Sequence, residues 1–243
     1  MRGRAIEIVI VASIALILVV LLLPPVARVR EPAARMASSN NLKQMALGMH
    51  NYQDNNRHLP GANAVYLDPK DGSKRFPVSW RVLILPYVEQ EALSKEYRFD
   101  EPWDGPNNIR LLERTPKIYS HPKVDPMVAT KGHTHYRVFA SRPGAKPSAL
   151  FTDGLPGPKL NEIPDGTSNT ILIVEAAEAV PWTMPEVLLF DRNQPVPKLG
   201  GLFKEYFQVA LANGSVRSFR NDFPEDKLRA WITKDGGEAV DED

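Results

Sequence analysis

The sequence predicts an α+β chain in which one long N-terminal helix leads into a loop-rich domain built on an antiparallel β-sheet. Three observations carry this reading. Residues 8–23 form an uncharged apolar run, Leu42, Met45, Met49 and Tyr52 form a stripe at helical spacing, and an Asn213-Gly214 pair separates two alternating runs near the C-terminus.

The apolar run holds one polar side chain, Ser13. With its flanks it reaches about 20 residues, enough helix to cross a hydrocarbon layer about 30 Å thick. A helix packed on a globular core would show polar residues at every third or fourth position. The run is therefore expected to be a membrane anchor over residues 1–30, with membrane lipid as a partner. A secretory signal is the competing reading. The run is long for one, and no small-x-small cleavage site follows Pro24-Pro25. That proline pair is expected to kink or interrupt the helix. Glu7, just inside the apolar run, calls for a partner or a position at headgroup level.

Downstream, Leu42, Met45, Met49 and Tyr52 fall at i, i+3, i+7 and i+10, which places them on one helix face. They are the expected helix-to-sheet packing residues, in a helix running to about residue 54 and a domain covering 31–243. Polar loop follows, with turn signals at Pro60-Gly61 and Asp71-Gly72. Residues 79–90 are compact and apolar but too bounded by proline to assign. A turn cluster around Trp103 precedes a short helical stretch, and residues 119–138 supply a strand or two. Residues 170–174, Thr-Ile-Leu-Ile-Val, read as a central strand because β-branched runs suit a sheet covered on both faces. Asn213-Gly214 calls for a type I′ turn, which would set Leu211 opposite Val216 and Val209 opposite Ser218. A short helix around residues 225–232, with Leu228, Trp231 and Ile232 on one face, closes the chain before Asp235-Gly-Gly237.

Composition narrows the function. Lysine and arginine (30) balance aspartate and glutamate (29), so no basic excess favours nucleic acid. Cysteine is absent, which removes disulfides, thiolate metal sites and a cysteine nucleophile. The 22 prolines are dispersed, which favours short strands and many turns.

The motifs Leu21-Leu-Leu-Pro24, Ser39-Asn-Asn-Leu-Lys-Gln44, His50-Asn-Tyr52, Ser79-Trp-Arg-Val-Leu-Ile-Leu-Pro-Tyr87 and Asp100-Glu-Pro-Trp103 occur in this order. They are followed by Asp165-Gly-Thr-Ser-Asn-Thr170, Val180-Pro-Trp182, Asn213-Gly-Ser-Val-Arg217 and Asp235-Gly-Gly237. Together they resemble a pilin-like family of planctomycete bacteria, a domain of unknown function (1559) behind a prepilin-type N-terminal segment. The resemblance implies a type IV pilin-like fold, an inner-membrane single-pass start with its N-terminus cytoplasmic, and a periplasmic C-terminal domain. It also implies contact with other pilin-like subunits through the N-terminal helix, with Glu7 as the subunit-packing candidate. Arg2 and Gly3 stand where the family has the Gly and Phe of its processing site, so an uncleaved anchor is expected. Ser38 and, approximately, His121 stand where members often carry cysteines.

Chemistry-bearing residues give weaker patterns. His133-Thr-His135 sets two imidazoles on one strand face, a spacing that binds zinc or copper if a third ligand such as His121 joins; an exposed polar loop is the plainer reading. Asp153, Asp165 and Asp235 each precede a glycine, and acidic turns hold calcium where oxygens converge, yet turn chemistry alone accounts for them. His50 suits a packed, hydrogen-bonded position. No nucleophile elbow, zincin helix or phosphate loop is present. The expected function is a membrane-anchored pilin-like structural or assembly protein of the cell envelope, not an enzyme, with no cofactor and no metal. The alternative is an extracytoplasmic ligand- or carbohydrate-binding module tethered by the anchor, which a hydrophobic groove or aromatic cluster on the domain would favour.

Overall fold

The computed structural model describes residues 2–65, 76–124, 132–238 and 240, and within the first helix the side chains of 11–14 and 31–56. The chain forms two compact units, Met1–Ala37 and Ser38–Asp243.

Helix α1 spans Arg2–Asn56. It runs through Pro24-Pro25, where the sequence predicts a kink or an interruption, without being interrupted, because proline forfeits an amide hydrogen bond but keeps a helical φ. Among the described residues no helix is long and apolar enough to cross a membrane. The described side chains of α1 are interrupted by Glu31, Arg35, Lys43 and Asp54. This corrects the expected single-pass inner-membrane anchor, its cytoplasmic and periplasmic ends, its lipid partner and the type IV pilin-like fold built on it. The Glu7 side chain, and with it the expected subunit packing there, lies outside what the structure describes, as does the Asp71-Gly72 turn.

The Ser38–Asp243 unit is mixed α+β, with short helices and two sheets. After α1 come α2 (Trp80–Leu83), a 3-10 turn (Leu85–Tyr87), α3 (Glu91–Glu96) and a 3-10 turn (Asn108–Arg114). Strands β1 (His133–Arg137), β4 (Ile171–Pro181), β6 (Tyr206–Leu211) and β7 (Val216–Arg220) form an antiparallel sheet in the order β1-β4-β6-β7. A second sheet joins β2 (Phe139–Ser141) to β3 (Phe151–Thr152) and β5 (Leu188–Leu189) in the order β3-β2-β5, both pairs parallel. The sequence gives no sign of this second sheet, because strands of two or three residues are too short to show a period. Helix α4 (Glu225–Ile232) matches the predicted span, with Leu228, Trp231 and Ile232 buried.

β4 is buried at six consecutive positions because hydrophobic clusters cover the sheet on both sides. Leu172 and Ile173 belong to a cluster with Leu42, Met45 and Met49 of α1, all fully buried, and with Tyr52. Ile171, Val174 and Ala176 belong to another with Phe207, Phe219, Leu228 and Trp231. Each buried valine, leucine, isoleucine, methionine or phenylalanine among them contributes about 1.5–3 kcal/mol relative to exposure.

The hairpin departs from the expected register. Ala210 pairs with Val216 and Val209 with Arg217. Gly214 N–H donates to Leu211 O (2.8 Å) and Leu211 N–H to Ser215 O (2.8 Å), a three-residue loop in which Gly214 has φ +84° and Asn213 has no positive φ. Tertiary contacts select this loop over a type I′ turn. Ala212 N–H donates to Thr170 O (2.8 Å), Asn213 N–H to Thr167 O (2.9 Å), and His50 Nε2 bonds Ala212 O (2.9 Å).

Candidate functional site

Two places in the Ser38–Asp243 unit concentrate polar chemistry: a buried node around Glu175, and a cleft beside β6 and α4.

Glu175 sits on β4 opposite Tyr136 of β1 and is 1% exposed. Its Oε1 accepts from the Ser38 hydroxyl and from His121 Nε2–H (3.0 Å), and its Oε2 from Gln208 N–H (2.8 Å). His121 Nδ1 accepts from Lys123 N–H (3.2 Å), which assigns the ring proton to Nε2. Tyr136 OH lies 2.7 Å from Ser38 Oγ and accepts from Asn41 Nδ2 (3.3 Å). Burial dominates at Tyr136 and raises its phenol above the ordinary range, against the bonds from Ser38 and Asn41. Serine, histidine and glutamate thus meet, but not as a nucleophile, base and orienter. His121 presents no ring nitrogen to Ser38, because one is spent on Glu175 and the other on Lys123. Ser38 and His121, at the places where the resembling family often has cysteines, share a single carboxylate oxygen.

Arg81 is fully buried on α2. It donates from Nε (3.1 Å) and Nη2 (2.6 Å) to Tyr136 O and from Nη1 to Ser79 Oγ (3.1 Å), with its guanidinium 4.8 Å from the Trp80 ring centre. Burial, reinforced by the neighbouring Arg137, pulls it down to about 9. Arg137 in turn donates to Glu186 Oε1 (2.8 Å) and Val187 O (3.0 Å). These residues tie the loop after β4 to β1.

The acidic turns are joints of the same kind. Asp165 accepts from Gly236 N–H (2.8 Å) and Gly237 N–H (3.1 Å), and Asp235 from Ser148 N–H (2.6 Å). Asp153 accepts from Asn63 Nδ2 (2.6 Å). His133 and His135 fall on β1 rather than in a loop, and His135 Nδ1–H donates to Ala176 O (3.0 Å). Its ring lies 6.1 Å from that of His121. Among the described residues no three histidine, aspartate or glutamate side chains are placed to hold a metal ion.

The cleft has a volume of about 290 Å³. One wall is residues 196–201, held to β4 by the Ala176–Leu199 bridge and by Gly200 N–H donating to Glu175 O (3.0 Å). Phe207 of β6 forms the floor, and Asn221, Phe223 and the start of α4 form the other wall. Glu225 Oε1 accepts from Val196 N–H (3.1 Å), which joins the walls. Behind the floor, Phe219 stacks on Phe207 (5.7 Å) and meets Phe223 (4.8 Å) and Trp231 (5.3 Å) edge-on. Gly200 is obligatory. Its φ is +66°, and an added Cβ would fall 2.5 Å from Asn221 Oδ1 and 3.1 Å from Phe207 Cβ.

Sequence reasoning missed the cleft and the Glu175 node. A lone carboxylate inside the apolar run of β4 is a signal for the node. For the cleft only Gly200-Gly201 and the phenylalanines hint at it, since its walls come from segments without a period.

A family model described as protein of unknown function (DUF1559) matches residues 27–146. The resemblance read from the motifs therefore holds over this stretch, which ends before the cleft. No curated protein and no solved structure matches the chain.

Proposed function

We propose that the Ser38–Asp243 unit is a non-catalytic ligand-binding module that takes a small ligand in the cleft between residues 196–201 and the start of α4. This replaces the anchored assembly protein expected from the sequence. The observation that carries the proposal is the lining itself. Phe207, Phe223, Leu199 and Leu228 supply an apolar surface, and Lys198, Asn221 and Glu225 supply a few polar groups at its edge. A recess in which apolar side chains and a few polar groups lie side by side is the kind of place small molecules bind. The volume sits near the lower limit of such sites, about 300–1,000 Å³, which suits a ligand of one ring rather than a chain of several. The non-catalytic part rests on the Glu175 node, where the hydroxyl and the imidazole are both committed to the carboxylate.

The test is a screen of chemically varied solutes by backbone-amide NMR. Ligands are expected to shift the amides of Lys198, Leu199, Gly201 and Phe223 first. Phe223→Ala, checked for folding by its thermal melt, is expected to weaken binding several-fold. Solutes that bind only elsewhere, or turnover of a bound solute, would overturn the proposal.

A further inference from the structure

We infer that Asn213 is a site of spontaneous deamidation that the β6–β7 loop holds shut, so that its amide is lost only when the hairpin opens.

Asn213-Gly214 is the one asparagine-glycine pair of the chain, and Asn213 is exposed. The chemistry needs no co-reactant but water. The Gly214 backbone nitrogen gives up its proton and bonds to Asn213 Cγ, the Cγ–Nδ2 bond breaks, and Nδ2 leaves as ammonia. Water then opens the cyclic imide at either carbonyl. One opening yields aspartate, the other isoaspartate, in which the main chain runs through Cβ and gains one carbon. Glycine in second place keeps the attacking nitrogen uncrowded, because it has no Cβ. Every other asparagine of the chain precedes a residue that has one.

The folded loop withholds the nucleophile. Gly214 N–H donates to Leu211 O (2.8 Å), and the imide nitrogen carries no hydrogen, so this bond is lost on any route to the product. Asn213 Oδ1 accepts from Ser215 N–H (2.9 Å) and from the Ser215 hydroxyl (2.7 Å), which fixes the carboxamide. These donors polarise Cγ toward attack, but while the Gly214 nitrogen is engaged they act as a restraint. The flanking backbone is clamped from distant segments: Asn213 N–H on Thr167 O (2.9 Å), Ala212 N–H on Thr170 O (2.8 Å), and His50 Nε2–H on Ala212 O (2.9 Å). A three-residue loop held in this way has no slack for the extra carbon of isoaspartate. The rate of amide loss therefore follows the local opening of the hairpin.

The test incubates the full chain at mildly alkaline pH, folded and in urea, beside a peptide of residues 208–219. Mass spectrometry follows the conversion of the amide at 213 and the isoaspartate fraction. In urea the chain is expected to react as fast as the peptide, and when folded about ten-fold slower or more, the scale of the Gly214 bond and one clamp broken together. His50→Ala removes a clamp and is expected to speed the folded reaction about five-fold while leaving the rate in urea unchanged. Ser215→Ala, at an exposed position that leaves the fold intact, is expected to speed it about two-fold, and decides the matter if His50→Ala does not fold. A folded chain that loses the amide as fast as the peptide overturns the inference. So does a folded rate that neither variant raises, or another asparagine that reacts ahead of Asn213 in urea.

Discussion

At the scale of single residues, Glu175 is a carboxylate within the six-residue buried run of β4, and three donors converge on it: Ser38, His121 and the backbone of Gln208. An amide in place of this carboxylate keeps one acceptor oxygen and sets an NH2 where the other stood, so at least one buried donor loses its partner. Glu175→Gln is expected to cost about 3 kcal/mol in urea unfolding, and Ser38→Ala, which removes one donor of three, about 1 kcal/mol. Equal costs would mean the node is not centred on the carboxylate. His135, next to it, responds to pH. Desolvation lowers its pKa from 6.5, opposed by the bond to Ala176 O and helped by repulsion from His121. The unfolded chain then binds its proton before the folded one does as the pH falls. The stability from His135 is complete above about pH 6.5 and declines as the pH drops through the lower folded value. His135→Gln is expected to flatten the loss of the urea midpoint between about pH 6.5 and 5. An unchanged slope would contradict this.

At the scale of elements, the β6–β7 hairpin shows what local sequence can and cannot specify. Asn-Gly located the turn, but its type was decided by Thr167, Thr170 and His50, which are distant in sequence and reach the loop only in the folded unit. Gly214→Ala is expected to cost about 1–2 kcal/mol, the price of a left-handed conformation for a residue with Cβ. The side chain must also displace the His50 ring, 3.3 Å away. A neutral urea midpoint would show that the loop can revert to another turn. Helix α4 was legible to its ends because proline precedes it and its apolar residues keep helical spacing. The α1 stripe was legible for the same reason, whereas the two- and three-residue strands of the second sheet were not.

At the scale of the whole molecule, composition and periodicity made a mixed α+β chain with an antiparallel sheet readable. The reading of an apolar run as an anchor, and of a pilin-like build around it, did not survive: among the described residues no helix is long and apolar enough to cross a membrane. Several of the motifs that carried the family resemblance are joints. Asp165, Asp235 and His50 each bond backbone groups of distant turns, and Arg81 bonds the backbone of β1. The cleft was illegible because its walls are brought together by tertiary contacts, the backbone bonds of residues 198–200 to β4 and the bond of Val196 to Glu225. The measurement that bears most directly on the central claim is the map of amide shifts under a varied set of solutes. The account predicts that at least one solute shifts Lys198, Leu199, Gly201 and Phe223 together and saturably, and that Phe223→Ala weakens it. Saturable shifts confined to other surfaces would contradict it.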